Sequence, residues 1–254
     1  MTGWPDIQEE LARWRDAGRA PVLWWRDDDA ADATPALDRL LALHEAHGVP
    51  LALAVVPANA TPALAARLAA ASAVDLLQHG YAHTNHAPAG EKKSEIGLHR
   101  PAMVVLGELG TGWLAMERLF GARGLPVLVP PWNRIAPSLV PALPEIGYRG
   151  LSTFDIRPRA RPVSGLVQVN AHVDLIDWRA SRFAGRETVL AALARALVAA
   201  RTTTGEPVGI LSHHLAMDEA AWDFLNSFWG IMTGVPGARI APANDLFASG
   251  EARV

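Results

Sequence analysis

Short apolar runs alternate with amphipathic segments along almost the whole chain, and this alternation limits the fold more than any other sequence feature. Ile7, Leu11 and Trp14 fall at helical spacing and predict an opening helix. Residues 22–25 read as a buried strand, followed by Thr34-Pro35, a helix cap with proline at the first helical position, and a helix to about His47. A strand at 51–56, a second cap at Thr61-Pro62 with its helix, and a strand at 74–78 repeat the unit. Residues 80–97 are polar and irregular; helical pattern then fills 102–120. Strands follow at 125–129, around Leu151, at 167–173 and at 208–211, with helices near 138–145, 187–200 and 219–229. Strands separated by crossover helices pair in parallel, and about seven of them point to an α/β barrel rather than an open sheet. No linker or repeat divides the sequence, so one domain over 1–254 is expected.

Composition closes off several function classes. With 23 basic and 26 acidic residues the formal charge is −3, which gives no reason to expect a nucleic-acid or acidic-membrane partner. Zero cysteine excludes disulfides, thiolate metal sites and a cysteine nucleophile. The first eighteen residues carry acids and no continuous apolar core, unlike a signal peptide, and the Ala/Leu-rich stretches are interrupted by charge, unlike a membrane span. A cytoplasmic location is the resulting expectation. Lys92 and Lys93 are the only lysines, a bias that fits genome base composition better than function.

Polar clusters follow the C-terminal ends of five expected strands: Asp27 to Asp29, His79 to His86, Pro130 to Arg134, Asp174 to Trp178, and His213 with His214. In α/β barrels the loops at that end build the active site. An isolated acidic triplet is most simply a solvated turn or helix cap, but this one ends the bulky run Leu23-Trp24-Trp25, where carboxylates need partners. Asp28 and Asp29 can share a site only if the strand ends and twists there. His79 and His83 stand four residues apart; on a helical turn they would share a face and grip one metal ion, with His86 and Asn85 close by. Two histidines and a carboxylate form a common set for a divalent ion. Pro130 to Arg134 reads as a rigid turn with an aromatic wall, Asp174 to Trp178 as a capped turn, and one of His213 and His214 as a satisfied strand-end residue.

In order, these clusters resemble the five motifs of the polysaccharide deacetylase family (carbohydrate esterase family 4, with the NodB homology domain), matching between 26 and 214. The resemblance implies a distorted (β/α) barrel, one divalent metal ion with zinc favoured, and removal of acetyl groups from N-acetylated sugars. It implies Asp28 as base and Asp29 as ligand, with Asp27 and Asp28 as the alternative register. His79 and His83 match the metal pair. Pro130, Pro131 and Trp132 match the third motif, whose backbone N–H helps hold the oxyanion, but Val129 stands where the family has an arginine that orients the base; Arg26 and Arg134 are the candidate substitutes. Asp174 to Trp178 matches the fourth motif, its first Asp orienting the acid, and Leu211-Ser212-His213 the fifth, with His213 as general acid. Trp132, Asn133, Trp178 and Leu211 are then substrate-binding candidates, and Asp27, His86, Asp177 and His214 lesser site candidates. The alternatives are a hydrolase of non-sugar C–N bonds, as in the allantoinase-like branch, and a non-catalytic glycan-binding relative. A cytoplasmic location implies a soluble acetamido sugar, sugar precursor or short oligosaccharide as substrate, or another small molecule.

Overall fold

The computed structural model describes residues 2–248. In chain order the elements are α1 (Trp4–Asp16), β1 (Val22–Ala30), α2 (Pro35–His47), β2 (Leu51–Val55), α3 (Pro62–Ala69), β3 (Val74–His79), α4 (Ala102–Phe120), β4 (Gly124–Val129), β5 (Gly150–Leu151), β6 (Val167–Gln168), β7 (Ala171–Asp174), β8 (Ile176–Asp177), β9 (Arg182–Phe183), α5 (Arg186–Ala199), β10 (Val208–Ser212), α6 (Glu219–Met232), β11 (Arg239–Ile240) and α7 (Ala243–Ala248). Both expected caps form: Leu37 N–H donates to Thr34 Oγ1 at 3.1 Å and Leu64 N–H to Thr61 Oγ1 at 3.2 Å, each satisfying a helix-start donor.

The main sheet runs β6-β5-β4-β3-β2-β1-β10-β7, all parallel, with β11 pairing the start of β1. β6 and β7 are two parts of one extended stretch, so the sheet has seven staves. It curls until the chain beyond β5 meets β7: Ala171 N–H donates to Thr153 O at 3.0 Å and Asp155 N–H to Ala171 O at 2.8 Å. The result is the distorted (β/α) barrel expected from the alternation.

Side chains alternate across each strand. On β1, Trp24 points inward to Ala52, Ala54, Val127 and Val129, with α7 plugging the base through Leu246 and Phe247. Leu23 and Trp25 point outward into the larger core beneath α1, α2, α5 and α6. Small alanines on β2 leave the barrel room for Trp24. One expectation needs correction. The helix near 138–145 is a 3₁₀ turn, Pro137–Ala142, because Pro141 has no N–H to continue an α-helix. No helix among the described residues is long and apolar enough to cross a membrane.

Candidate active site

The register settles how neighbouring carboxylates share a site. Asp27 pairs with Leu53 and Ala30 with Val55, so β1 carries one residue more than β2 between those points. This is a β-bulge, which re-aims side chains at strand ends. Asp29 takes a left-handed backbone, φ 75°, and its carboxylate turns toward the mouth beside that of Asp28. Asp27 goes elsewhere. It is fully buried and bonds Ser212 and His214.

Asp28 is held by Arg26, two residues earlier and therefore on the same strand face. Arg26 Nε lies 2.9 Å from Asp28 Oδ1, and Nη2 donates to Oδ2 at 3.0 Å. The guanidinium is fully buried, with further bonds to Ser152 Oγ (2.6 Å), Thr153 O (3.2 Å) and Asn133 Oδ1 (2.6 Å). Of the two candidate substitutes for the arginine missing at Val129, Arg26 is therefore the one that reaches Asp28. Arg134 does not: it is exposed and donates to Lys93 O.

Asp29, His79 and His83 bring their ligand atoms within 4.8 Å of one another. Asp29 Oδ1 lies 3.0 Å from His79 Nε2 and 3.2 Å from His83 Nε2. Burial raises the Asp29 carboxyl, but the hydrogen bond and charge of His79, with His213 and His83 behind it, outweigh that and hold it well below the usual carboxylate range. His79 Nδ1 lies 3.0 Å from the Val129 carbonyl, an arrangement that fixes the ring and leaves Nε2 to face Asp29. Burial lowers the His83 imidazole below its ordinary value, whereas for His79 burial is outweighed by the charges of Asp28 and Asp29 and the Asp29 hydrogen bond, which raise it. Two inward imidazole nitrogens and a carboxylate oxygen fit a divalent ion.

The two histidines do not sit on a helical turn. Residues 80–86 carry no helix; the chain wraps instead around the carboxylate of Glu95, which accepts from the N–H groups of Tyr81 (2.9 Å), Ala82 (2.8 Å) and Thr84 (3.1 Å). Gly80 makes the wrap possible. Its φ is +57°, and a Cβ there would come 2.0 Å from Glu95 Oε2 and 2.5 Å from Pro131 Cδ. His86 stays outside the cluster. Sequence reading missed Glu95; the only available signal was a polar segment with no regular structure, whose backbone donors must bond to something.

Across the mouth, His213 Nε2 lies 3.9 Å from Asp28 Oδ2. Asp174 makes no hydrogen bond to His213 among the described residues, contrary to the implied direct contact. Its oxygens accept from Ile176 N–H (2.9 Å) and from the indole N–H of Trp178 (2.8 Å), and the Trp178 ring meets His213 edge-on at 4.6 Å. Burial raises Asp174 above the ordinary carboxylate range, against the pull of His213. Asp177 is exposed and caps the turn through Arg179 and Ala180. Trp132, φ 55°, packs against His83 with the ring planes tilted by 56° and the centres 4.5 Å apart, so a tryptophan flanks each side of the mouth. Leu211 is fully buried below. A cavity of about 330 Å³ opens beside Asp174 and Phe154, whereas the larger one, about 520 Å³, lies at the far end of the barrel against Phe247.

No family model and no curated protein matches the sequence. Solved structures do match. The chain is 18% identical to the T48 deacetylase solved with substrate, covering 92% of this chain and 94% of that one, TM-score 0.58. It is 15% identical to a family 4 carbohydrate esterase from Streptomyces lividans in complex with acetate, covering 88% and 94%, TM-score 0.56. It is also 14% identical to a mutant of BA3943, a family 4 pseudoenzyme with restored activity, covering 89% and 67%, TM-score 0.58. At these identities the likeness is one of fold: the chain has the polysaccharide-deacetylase fold.

Proposed function

We propose that this protein is a metal-dependent hydrolase that removes the acetyl group from an N-acetylated sugar. The observation that carries the reading is the Arg26-held carboxylate of Asp28, set between the Asp29, His79, His83 cluster and His213. The shared fold with carbohydrate deacetylases supports it.

Asp29, His79 and His83 are the residues that would hold a divalent ion, and imidazole-rich donors favour zinc. Such an ion, when bound, supplies Lewis acidity, polarising a carbonyl and easing loss of a proton from water. Asp28, aimed by the Arg26 guanidinium, takes that proton. The backbone N–H of Trp132 stabilises the oxyanion, a contribution typically worth about 3 kcal/mol. His213 gives a proton to the departing amine, which leaves poorly without one. Loss of the Asp28 proton to solvent and uptake of one by His213 reset the site. Trp132 and Trp178 offer flat faces to a sugar ring or acetyl methyl, and Asn133, bonded to Arg26, borders the same space.

The test is acetate release from monomeric, oligomeric and polymeric acetamido sugars after chelation and return of zinc. Asp28→Asn and His213→Ala should each lower kcat by at least about 10²-fold while retaining the ion. A second reading, hydrolysis of a non-sugar C–N bond, was suggested by Val129. It gains if ammonia or urea is released from small amides and no acetate from any acetamido sugar. Ion binding with no turnover of either substrate class would favour a non-catalytic glycan binder.

A further inference from the structure

Asp27 and Asp28 are adjacent on β1 and face opposite ways. Asp28 points inward to His213; Asp27 points outward, fully buried, on the side of Trp25 and the helices. Asp27 Oδ2 accepts from Ser212 Oγ at 2.6 Å and from the His214 backbone N–H at 3.0 Å. Its Oδ1 meets His214 Nδ1 at 2.5 Å. Ser212 accepts in turn from Trp25 Nε1 at 2.9 Å. One carboxylate thus ties the end of β1 to the end of β10 and to the residue beyond it.

That tie extends past the ladder. Backbone register joins Asp27 to Ser212 as the last rung, so nothing in the sheet fixes residues 213 and 214. His213 has little of its own to fix it: its Nδ1 is buried with no hydrogen-bond partner, and Asp174 bonds Trp178 instead. The ring is set from the front by the Trp178 edge and from behind by the backbone that Asp27 and His214 anchor. An apolar pair would fill the same outward pocket without the desolvation of a carboxylate, so stability alone does not call for this one.

We propose that Asp27 and His214 are positioning residues that hold His213 in line with Asp28 and the departing amine. The inference rests on the deacetylase reading of the site. It predicts a dependence on the leaving group. An amine needs the proton from His213; the phenolate of an activated aryl acetate does not.

The experiment compares an acetamido sugar with 4-nitrophenyl acetate for wild type, His214→Phe, Asp27→Asn and the apolar double replacement Asp27→Leu with His214→Phe, the last to retain packing. The expected result is a fall of about tenfold or more in kcat on the amide, KM within about threefold, ester turnover within about threefold, and unchanged ion content. Asp28→Asn should lose both activities. Equal losses on amide and ester, or a folded double variant with full amide activity, would overturn the positioning role while leaving the deacetylase reading intact. A zinc-loaded wild type that releases no acetate from the amide would overturn that reading, and the inference with it.

Discussion

Arg26 and Asp28 stand two residues apart on β1 and meet inside the barrel as a fully buried ion pair, Nε to Oδ1 at 2.9 Å. The proposed base and its partner cation therefore come from one strand, and their relative position is fixed by the strand's own period rather than by the packing of two loops. Removing one member of a buried pair strands the other, at a cost of about 3–5 kcal/mol. Arg26→Met should lower both stability and activity, whereas Arg26→Met with Asp28→Asn should regain stability and stay inactive. Denaturant unfolding beside acetate release checks both. Unchanged stability in Arg26→Met would contradict the pairing.

The ion site should respond to a residue that never touches the ion. Glu95→Gln weakens the three N–H bonds that shape residues 81–84, and affinity should fall about 10- to 100-fold, the scale for groups that orient ligands. His79→Ala and His83→Ala should abolish stoichiometric binding. Competition with a chromogenic zinc chelator measures all three, and full affinity in Glu95→Gln would refute the wrap.

Trp178 links Asp174 to His213 in place of a direct bond. Trp178→Phe keeps a ring and loses the indole N–H; Trp178→Ala loses both. The amide kcat should fall in Phe by about tenfold and further in Ala, with ion content constant in each. Steady-state kinetics and metal analysis decide it; identical rates in all three proteins would remove Trp178 from the acid side.

Stability should depend on pH through His214. Burial lowers its imidazole, but the charge and hydrogen bond of Asp27 outweigh that, so its folded pKa lies above the ordinary 6.5. The folded state then binds the proton more tightly than the unfolded one. This contribution is complete below about pH 6.5 and is lost as pH rises through the folded value. Melting curves from pH 5.5 to 8.5 should show a decline toward the alkaline end that flattens in His214→Gln. A decline unchanged by that substitution would place its source elsewhere.

The fold was legible because its signals are periodic or local. Thr34-Pro35 and Thr61-Pro62 mark helix starts through side-chain oxygens three residues from their targets, and the strands announce themselves as apolar runs. The candidate ion ligands stood out as residue types at strand ends, but their geometry did not: a helical turn was expected where a loop wraps Glu95. The turn of Asp29 toward Asp28 depends on a bulge, and a bulge leaves no period in the sequence to read. Glu95, fourteen residues from the N–H group of Tyr81 that it binds, shows the same limit. At Asp174 the spacing shows that it lies near His213, not that the Trp178 indole N–H would take its Oδ2.

Two halves of the mouth are secured by different means. Asp28 rides on β1 and His213 directly follows β10, two strands joined by a continuous ladder from Leu23 to Asp27 and by the Asp27 carboxylate. His83 rides on an irregular segment whose N–H groups at 82 and 84 are held by the Glu95 side chain. Segments of the second kind open at a fraction of the global unfolding free energy. Amide hydrogens at 81–84 should therefore exchange well before those of the barrel staves, and an ion would escape through such local openings while the barrel stays folded. The exchange rate of an ion bound there would then follow the opening of the Glu95 loop, and the lifetime of such a loaded state could be tuned there without touching the residues opposite.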